Sequence, residues 1–168
     1  RSKPTIAIGQ EVMVTALQMI SAASAIANGG LLLKPTTVSK IESADGELLF
    51  RHEPQVLHRV VSEASARAIL DAMEHTASLQ GTGWRAKVPD IRMAVKTGTA
   101  QMIDSKTRAY SDKDYIASTL GIFPADKPRV ALYIAIIKPR GASYLGGQIA
   151  APVLRQAAEA VLSVLDIE

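Results

Sequence analysis

Eight consecutive apolar residues, Val130-Ala131-Leu132-Tyr133-Ile134-Ala135-Ile136-Ile137, form the longest such run in the chain. A helix needs about 18 or more to cross a membrane, so this run belongs in a core. Its length and β-branched content fit a strand covered on both faces, as an interior strand is. Such a strand needs partners, and two candidates arrive just before it. Residues 115–123 place small Ala117, Thr119 and Gly121 on one side. Residues 92–99 alternate, with Met93, Val95 and Thr97 on one face and Arg92, Ala94, Lys96 and Gly98 on the other. The link Pro124-Ala125-Asp126-Lys127-Pro128 is short, which makes the last two strands antiparallel neighbours.

Helices bracket these strands. Residues 15–28 carry Leu17, Ile20, Ala23 or Ser24, and Ala27 at helical spacing, and Asn28-Gly29-Gly30 supplies a left-handed stop. Residues 62–77 form a second helix, with Ser62 as cap, Glu63 at its positive end and a stripe of Ala66, Ile69, Leu70, Met73 and Ala77. Residues 149–165 form a third, with Pro152 in its first turn and a stripe of Ala150, Val153, Leu154, Ala157, Val161 and Val164. Between the first two helices, residues 37–43 and 47–50 flank Asp45-Gly46, the preferred pair for a tight primed turn. Residues 78–84 read as an exposed loop, and Asp112, Lys113 and Asp114 as a solvated turn. Helices, then an antiparallel sheet, then a covering helix make an α+β fold.

Composition removes several function classes. The 168 residues are 48% hydrophobic, enough for one globular unit with a sizeable core. Net charge is +3, no basic run reaches five residues, and aromatics are limited to two Phe, four Tyr and one Trp, so a nucleic-acid groove is excluded. Cysteine is absent, which removes disulfides and thiolate metal sites. His52, His58 and His75 lack metal-ligand spacing and read as surface or loop residues, while Met13, Met19, Met73 and Met93 read as core filler. No metal or cofactor is implied. Gly81-Thr82-Gly83-Trp84-Arg85-Ala86-Lys87 lacks the spacing of a phosphate loop.

Lys96 and Gly98 are the anomaly in a strand otherwise built for a core. Lysine on that face needs a reason, and glycine weakens a strand unless something approaches its backbone. One reading is an edge strand protected by a lysine, with glycine at a bulge. The other is chemical: Lys96 with the hydroxyls of Thr97 and Thr99 would bind a carboxylate, and the Thr99 N–H could meet a developing oxyanion.

Lys96-Thr97-Gly98 resembles the third signature of the serine penicillin-recognising enzymes, and Ala94-Val95-Lys96-Thr97-Gly98-Thr99-Ala100-Gln101 is similar to the form used by class B penicillin-binding proteins. Flanking segments agree in the family's order. Ile8-Gly9-Gln10 through Gln18-Met19 to Asn28-Gly29-Gly30, Gly81-Thr82-Gly83, Tyr115-Ile116-Ala117-Ser118, Phe123-Pro124-Ala125 and Gly146-Gly147-Gln148-Ile149-Ala150-Ala151-Pro152-Val153 all have counterparts. The Tyr-Ile-Ala-Ser and Gly-Gly-Gln-Ile-Ala-Ala-Pro segments look most like the division-specific branch.

The resemblance implies the C-terminal part of a transpeptidase domain over residues 1–168, its antiparallel sheet covered by helices. It implies that Lys96 and Thr99 act in catalysis, and that Thr97, Gly98, Thr99 and Gln101 bind substrate. The reaction implied is acyl transfer: a serine attacks the D-Ala-D-Ala end of a peptidoglycan stem peptide, and β-lactam antibiotics acylate the same serine. Implied partners are these peptides and drugs, the upstream segment of the same protein, and division-specific wall-synthesis proteins including a glycosyltransferase. The implied place is the outer face of the bacterial cytoplasmic membrane, anchored by an upstream segment.

One departure bears on mechanism. No serine has a lysine three places on, and Asn28, the single asparagine, follows Ile26 rather than a serine by two. The family's Ser-x-x-Lys and Ser-x-Asn motifs are therefore expected upstream, and the chain alone is expected not to acylate. Its opening, Arg1-Ser2-Lys3-Pro4, reads as the middle of a longer polypeptide. Two other readings stay open: a non-catalytic module that keeps the fold for protein contacts or β-lactam sensing, and a β-lactamase-like hydrolase.

Overall fold

A computed structural model describes residues 3–7 and 9–165. Arg1, Ser2 and Ile8, which enter the readings above, lie outside the described residues. The elements in chain order are α1 Lys3–Ala7, α2 Ala16–Ala27, β1 Leu31–Leu33, β2 Lys40–Glu42, β3 Leu48–Arg51, β4 Val56–Arg59, α3 Glu63–Thr76, β5 Ala94–Ile103, β6 Tyr110–Phe123, β7 Val130–Ile137 and α4 Gly146–Leu165, with one turn of 3₁₀ helix at Trp84–Ala86.

The three long strands pair in the order β5-β6-β7, all antiparallel. Helices cover both faces. On one, Val95, Met93 and Phe123 pack against Ala151, Leu154, Ala158 and Leu162 of α4 and against Ala86 and Val88. On the other, Ala94, Ile122 and Ala125 meet Ala23 of α2 and Leu70 of α3. The small side of β6 lies under α4. A side-chain carbon added at Gly121 would come 2.9 Å from Leu154 Cδ2, so the glycine lets the helix settle onto the sheet.

Local signals placed the helix ends well. Thr15 and Gln18 form a reciprocal capping box on α2 at 2.8 and 3.2 Å, and Ser62 caps α3 through the Ser65 N–H. Gly29 and Gly30 take φ of 62° and 89°. Helix phase was harder. The buried line of α4 is Ala150, Ala151, Leu154, Ala158 and Leu162, while Val153 and Val164 face outward. Alanines seat closest to a sheet, so the smaller residues rather than the valines define the inner face. The helix also begins at Gly146, which puts Pro152 in the second turn. Ile69 on α3 and Leu17 on α2 are exposed, and Met13, read as core filler, is 94% exposed.

Other expectations also change. The apolar run of β7 pairs with β6 alone among the described residues. Its two-sided apolarity reflects helices on both faces, not strands on both edges. The Asp45-Gly46 turn is a three-residue loop: Gly46 alone has positive φ, Gly46 N bonds Ser43 O at 3.1 Å, and Ser43 N bonds Glu47 O at 2.8 Å. Asp45 keeps a negative φ, which a primed two-residue turn would not allow. Asp112, Lys113 and Asp114 lie within β6, and the hairpin turns at Asp104 instead. There Asp104 Oδ1 accepts from Lys106 N and Thr107 N at 2.8 and 2.9 Å. Asp114 takes Lys138 and Arg140 at 3.0 and 2.9 Å, and those hydrogen bonds, Lys138 first, hold its carboxyl below the usual range. That contribution is present above the ordinary carboxylate pKa and fades as pH falls through the depressed one.

Candidate functional site

The site is built on β5. Its start is fixed by Arg92, whose Nε and Nη2 grip Glu74 of α3 at 2.8 and 2.6 Å. The Thr76 hydroxyl, in the last turn of α3, lies between Val95 O and Met73 O, which share its single proton. Beyond this anchorage β5 pairs with β6 in unbroken register from Ala94↔Ile122 to Gln101↔Tyr115, and its other edge is open among the described residues.

Alternation divides the signature residues between two faces. Lys96 and Gly98 share theirs with Leu120 and Ser118 of β6. Thr97 and Thr99 share the α4 face: Thr97 Oγ1 lies 2.9 Å from Thr82 Oγ1, and Thr99 Oγ1 accepts from Gly146 N at 3.0 Å. What joins the two sets is the open edge. In an antiparallel ladder a residue's N–H and C=O point to one side, and successive residues alternate sides. The carbonyls of Val95 and Thr97 are engaged by Thr76 Oγ1 and by Lys96 Nζ, the latter at 2.6 Å. By that alternation residues 95, 97 and 99 turn their backbone away from β6, and the Thr99 N–H faces the open edge.

Lys96 is exposed and enters none of the ion pairs among the described residues, its ammonium bonding Thr97 O. Gly98 faces Ser118, whose Oγ would be 2.7 Å from an added side-chain carbon. Gln101 sits a turn of the pleat further on, where its amide donates to Ser111 O at 3.3 Å across the hairpin. Trp84 flanks a concavity of about 790 Å³ on the α4 side, with the Arg85 guanidinium 4.4 Å over its ring. Neither this nor a second concavity of about 630 Å³, lined by Arg85, Arg140 and Ser143, includes Lys96, Thr97, Gly98 or Thr99. The β5 edge carries no further strand among the described residues.

Thr82, Ser118, Thr119 and Gly146 were not singled out as site residues from sequence. The loop at 78–84 is also less exposed than its composition suggested. Gly83 is buried against Val95, and a side-chain carbon on Gly81 would come 2.2 Å from Thr76 O. The glycines bring Thr82 to Thr97. Of these four residues only the Gly146-Gly147 pair carried a local signal, two glycines at the start of an apolar-striped helix.

Ser118 Oγ is a short, rotatable group, so Gly98→Ala has a modest expected effect on folding, within about 1 kcal/mol. Its methyl would stand on the face shared with Lys96. On the expectation, carried by the sequence resemblance, that Gly98 borders the substrate, acylation of the complete domain by a fluorescent penicillin should slow about tenfold, roughly 1.4 kcal/mol. Adding Ser118→Ala should recover any lost thermal stability without recovering the rate. Recovery of both would show that crowding within the protein was the whole effect.

This α+β layer, with its lysine-threonine-glycine strand at an open sheet edge backed by a helix N-terminus, agrees with the serine penicillin-recognising fold that the sequence resembles. Residues 1–159 match the penicillin binding protein transpeptidase domain, and the chain belongs to that family. It is 36% identical over 151 residues to stage V sporulation protein D of Bacillus subtilis, covering 89% of this chain and 23% of that protein. It is 33% identical over 166 residues to the peptidoglycan D,D-transpeptidase FtsI of Escherichia coli, covering 99% and 26% respectively. Among solved structures, penicillin binding protein 3 of Mycobacterium tuberculosis complexed with aztreonam superposes with a TM-score of 0.84 at 32% identity, over 96% of this chain and 38% of that one. The chain thus spans about a quarter of the length of these curated relatives.

Proposed function

We propose that this chain is the C-terminal, substrate-clamping part of a peptidoglycan D,D-transpeptidase that cross-links stem peptides through an acyl-serine intermediate, in septal wall synthesis. The observation that carries the reading is the open edge of β5, where Lys96, Gly98 and the outward Thr99 N–H converge on one line of backbone. Family membership and the activity for which the E. coli relative is named support it.

In this reading the serine and its lysine come from polypeptide upstream and complete the cleft opposite β5. The stem peptide lies along the strand edge, its terminal carboxylate near the Thr97 and Thr99 hydroxyls and the Lys96 ammonium. The serine Oγ attacks the carbonyl of the penultimate D-alanine. The negative charge that develops on that oxygen is met by the Thr99 N–H, fixed in place before the reaction, so no reorganisation is needed at the transition state. The intermediate collapses with loss of terminal D-alanine, whose nitrogen takes a proton. An amine of a neighbouring stem then attacks the acyl-serine, releasing the serine and forming the cross-link. β-Lactams enter the first half of this sequence. Gln101 supports the strand through Ser111 and borders the bound peptide. The protein's partners are wall-synthesis proteins of division, including a glycosyltransferase, at the outer face of the cytoplasmic membrane.

A labelling experiment tests this. The chain alone should show no covalent band with a fluorescent penicillin, whereas the complete domain should. Labelling of the chain alone would refute the placement of the nucleophile upstream, and an unlabelled complete domain would favour a non-catalytic module of the same fold.

A further inference from the structure

Thr119 is the one polar side chain in the fully buried core among the described residues, and it is buried against the site. It sits on β6 directly opposite Thr97. Its hydroxyl donates to Gly146 O at 3.2 Å, while Gly146 N donates to Thr99 Oγ1 at 3.0 Å. One residue, Gly146, is therefore held at its carbonyl by β6 and itself holds the side chain of β5. The contact demands glycine: an added carbon at Gly146 would lie 2.3 Å from both Gly98 O and Ser118 O, and one at Gly147 would lie 2.2 Å from Thr82 O.

The chemical consequence falls on the Thr99 hydroxyl. A hydroxyl has one proton to donate and two lone pairs that accept. With Gly146 N–H on a lone pair, the Thr99 oxygen is fixed and its proton is left to turn toward an outside acceptor. We infer that Thr119 and Gly146 form a positioning clamp that sets the Thr99 hydroxyl as a committed donor to the substrate's carboxylate. The inference rests on the transpeptidase reading and adds a specificity-determining residue, Thr119, that touches no substrate. An acceptor-only group such as carboxylate gains from a fixed donor, while an ester of the same acid gains far less.

The readout is the preference of the complete domain for a penicillin bearing a free carboxylate over its methyl ester, as a ratio of second-order acylation rates. Thr119→Val keeps the volume and removes the donor, and should lower that preference about tenfold, the equivalent of about 1.4 kcal/mol. The ester rate should hold, and Thr119→Ser should restore the wild-type ratio. Melting curves accompany each variant, and if Thr119→Val does not fold, Thr119→Ala against Thr119→Ser makes the same comparison. A folded, hydroxyl-free variant with an unchanged ratio, or with both substrates slowed equally, overturns the clamp. A wild-type domain acylated by neither compound overturns the transpeptidase reading and the clamp with it, whereas normal wild-type preference with indifferent variants overturns the clamp alone.

Discussion

Lys96→Ala in the complete domain should slow acylation by a β-lactam by about 100-fold or more, with little change in the thermal midpoint. The two halves of this expectation have separate grounds. Lys96 is exposed, it enters none of the ion pairs among the described residues, and its ammonium donates to the neighbouring carbonyl of Thr97 at 2.6 Å. Removing such a side chain should alter stability within about 0.5 kcal/mol, as at other surface positions. Its charge, by contrast, stands at the open edge of β5, beside the backbone line on which the Thr99 N–H lies. In the proposed mechanism an ammonium there steadies an anionic substrate and the charge developing in the transition state, and its loss leaves both without a compensating charge. Lys96→Arg keeps the charge but replaces a compact ammonium with a broad planar fork, so only partial recovery is expected. Stopped-flow acylation with a fluorescent penicillin, alongside melting curves, measures both quantities. A rate unchanged in Lys96→Ala would remove Lys96 from the mechanism, and a large loss of stability would return it to the role of edge-strand guard.

Much of the sheet and of the second helix was legible in the sequence because each carries a strong local signal. Val130–Ile137 is apolar throughout, residues 92–99 alternate, and Ser62 with Glu63 begins α3 as a capping rule would have it. The hidden features depend on distance. The ribbon of β1 with β4 joins Leu31 to Arg59 and Leu33 to Val56, strands of three and four residues whose pairing no short window contains. The extension of the β5–β6 hairpin to Ile103 and Tyr110 hid behind polar residues that resemble a turn, since Asp114 is satisfied by Lys138 and Arg140 from after β7. The phase of α4 is hidden because valines are more hydrophobic than alanines, while the sheet selects what fits beside Gly121.

The site divides the same way. Lys96, Thr97, Gly98 and Thr99 were readable as a motif and as an anomaly in a core strand. The support beneath them was not, because Thr82, Thr119 and Gly146 reach the strand from three separate segments. The lysine and the two threonine hydroxyls stand on opposite faces of β5, so a ligand that uses both must lie along the edge.

Gly146→Ala should be strongly damaging, since its methyl would strike two paired strands at once. The new carbon would fall 2.3 Å from Gly98 O and 2.3 Å from Ser118 O, both backbone atoms of paired strands that cannot rotate aside. Relief requires α4 to retreat from the sheet, and that motion breaks the Gly146 N–Thr99 and Thr119–Gly146 O bonds together. It also loosens Ala150, Ala151 and Leu154, all fully buried one and two turns further along. Overpacking of this kind costs about 3 kcal/mol, at the upper end of the usual range. Gly141→Ala is the matched control, since no atom lies within 4 Å of its added carbon. Chemical denaturation of the complete domain should separate the two variants by most of that difference, and acylation by Gly146→Ala should fall further than its folded fraction explains. If the two glycine variants melt alike, α4 does not seat on β5 as closely as Gly146 requires.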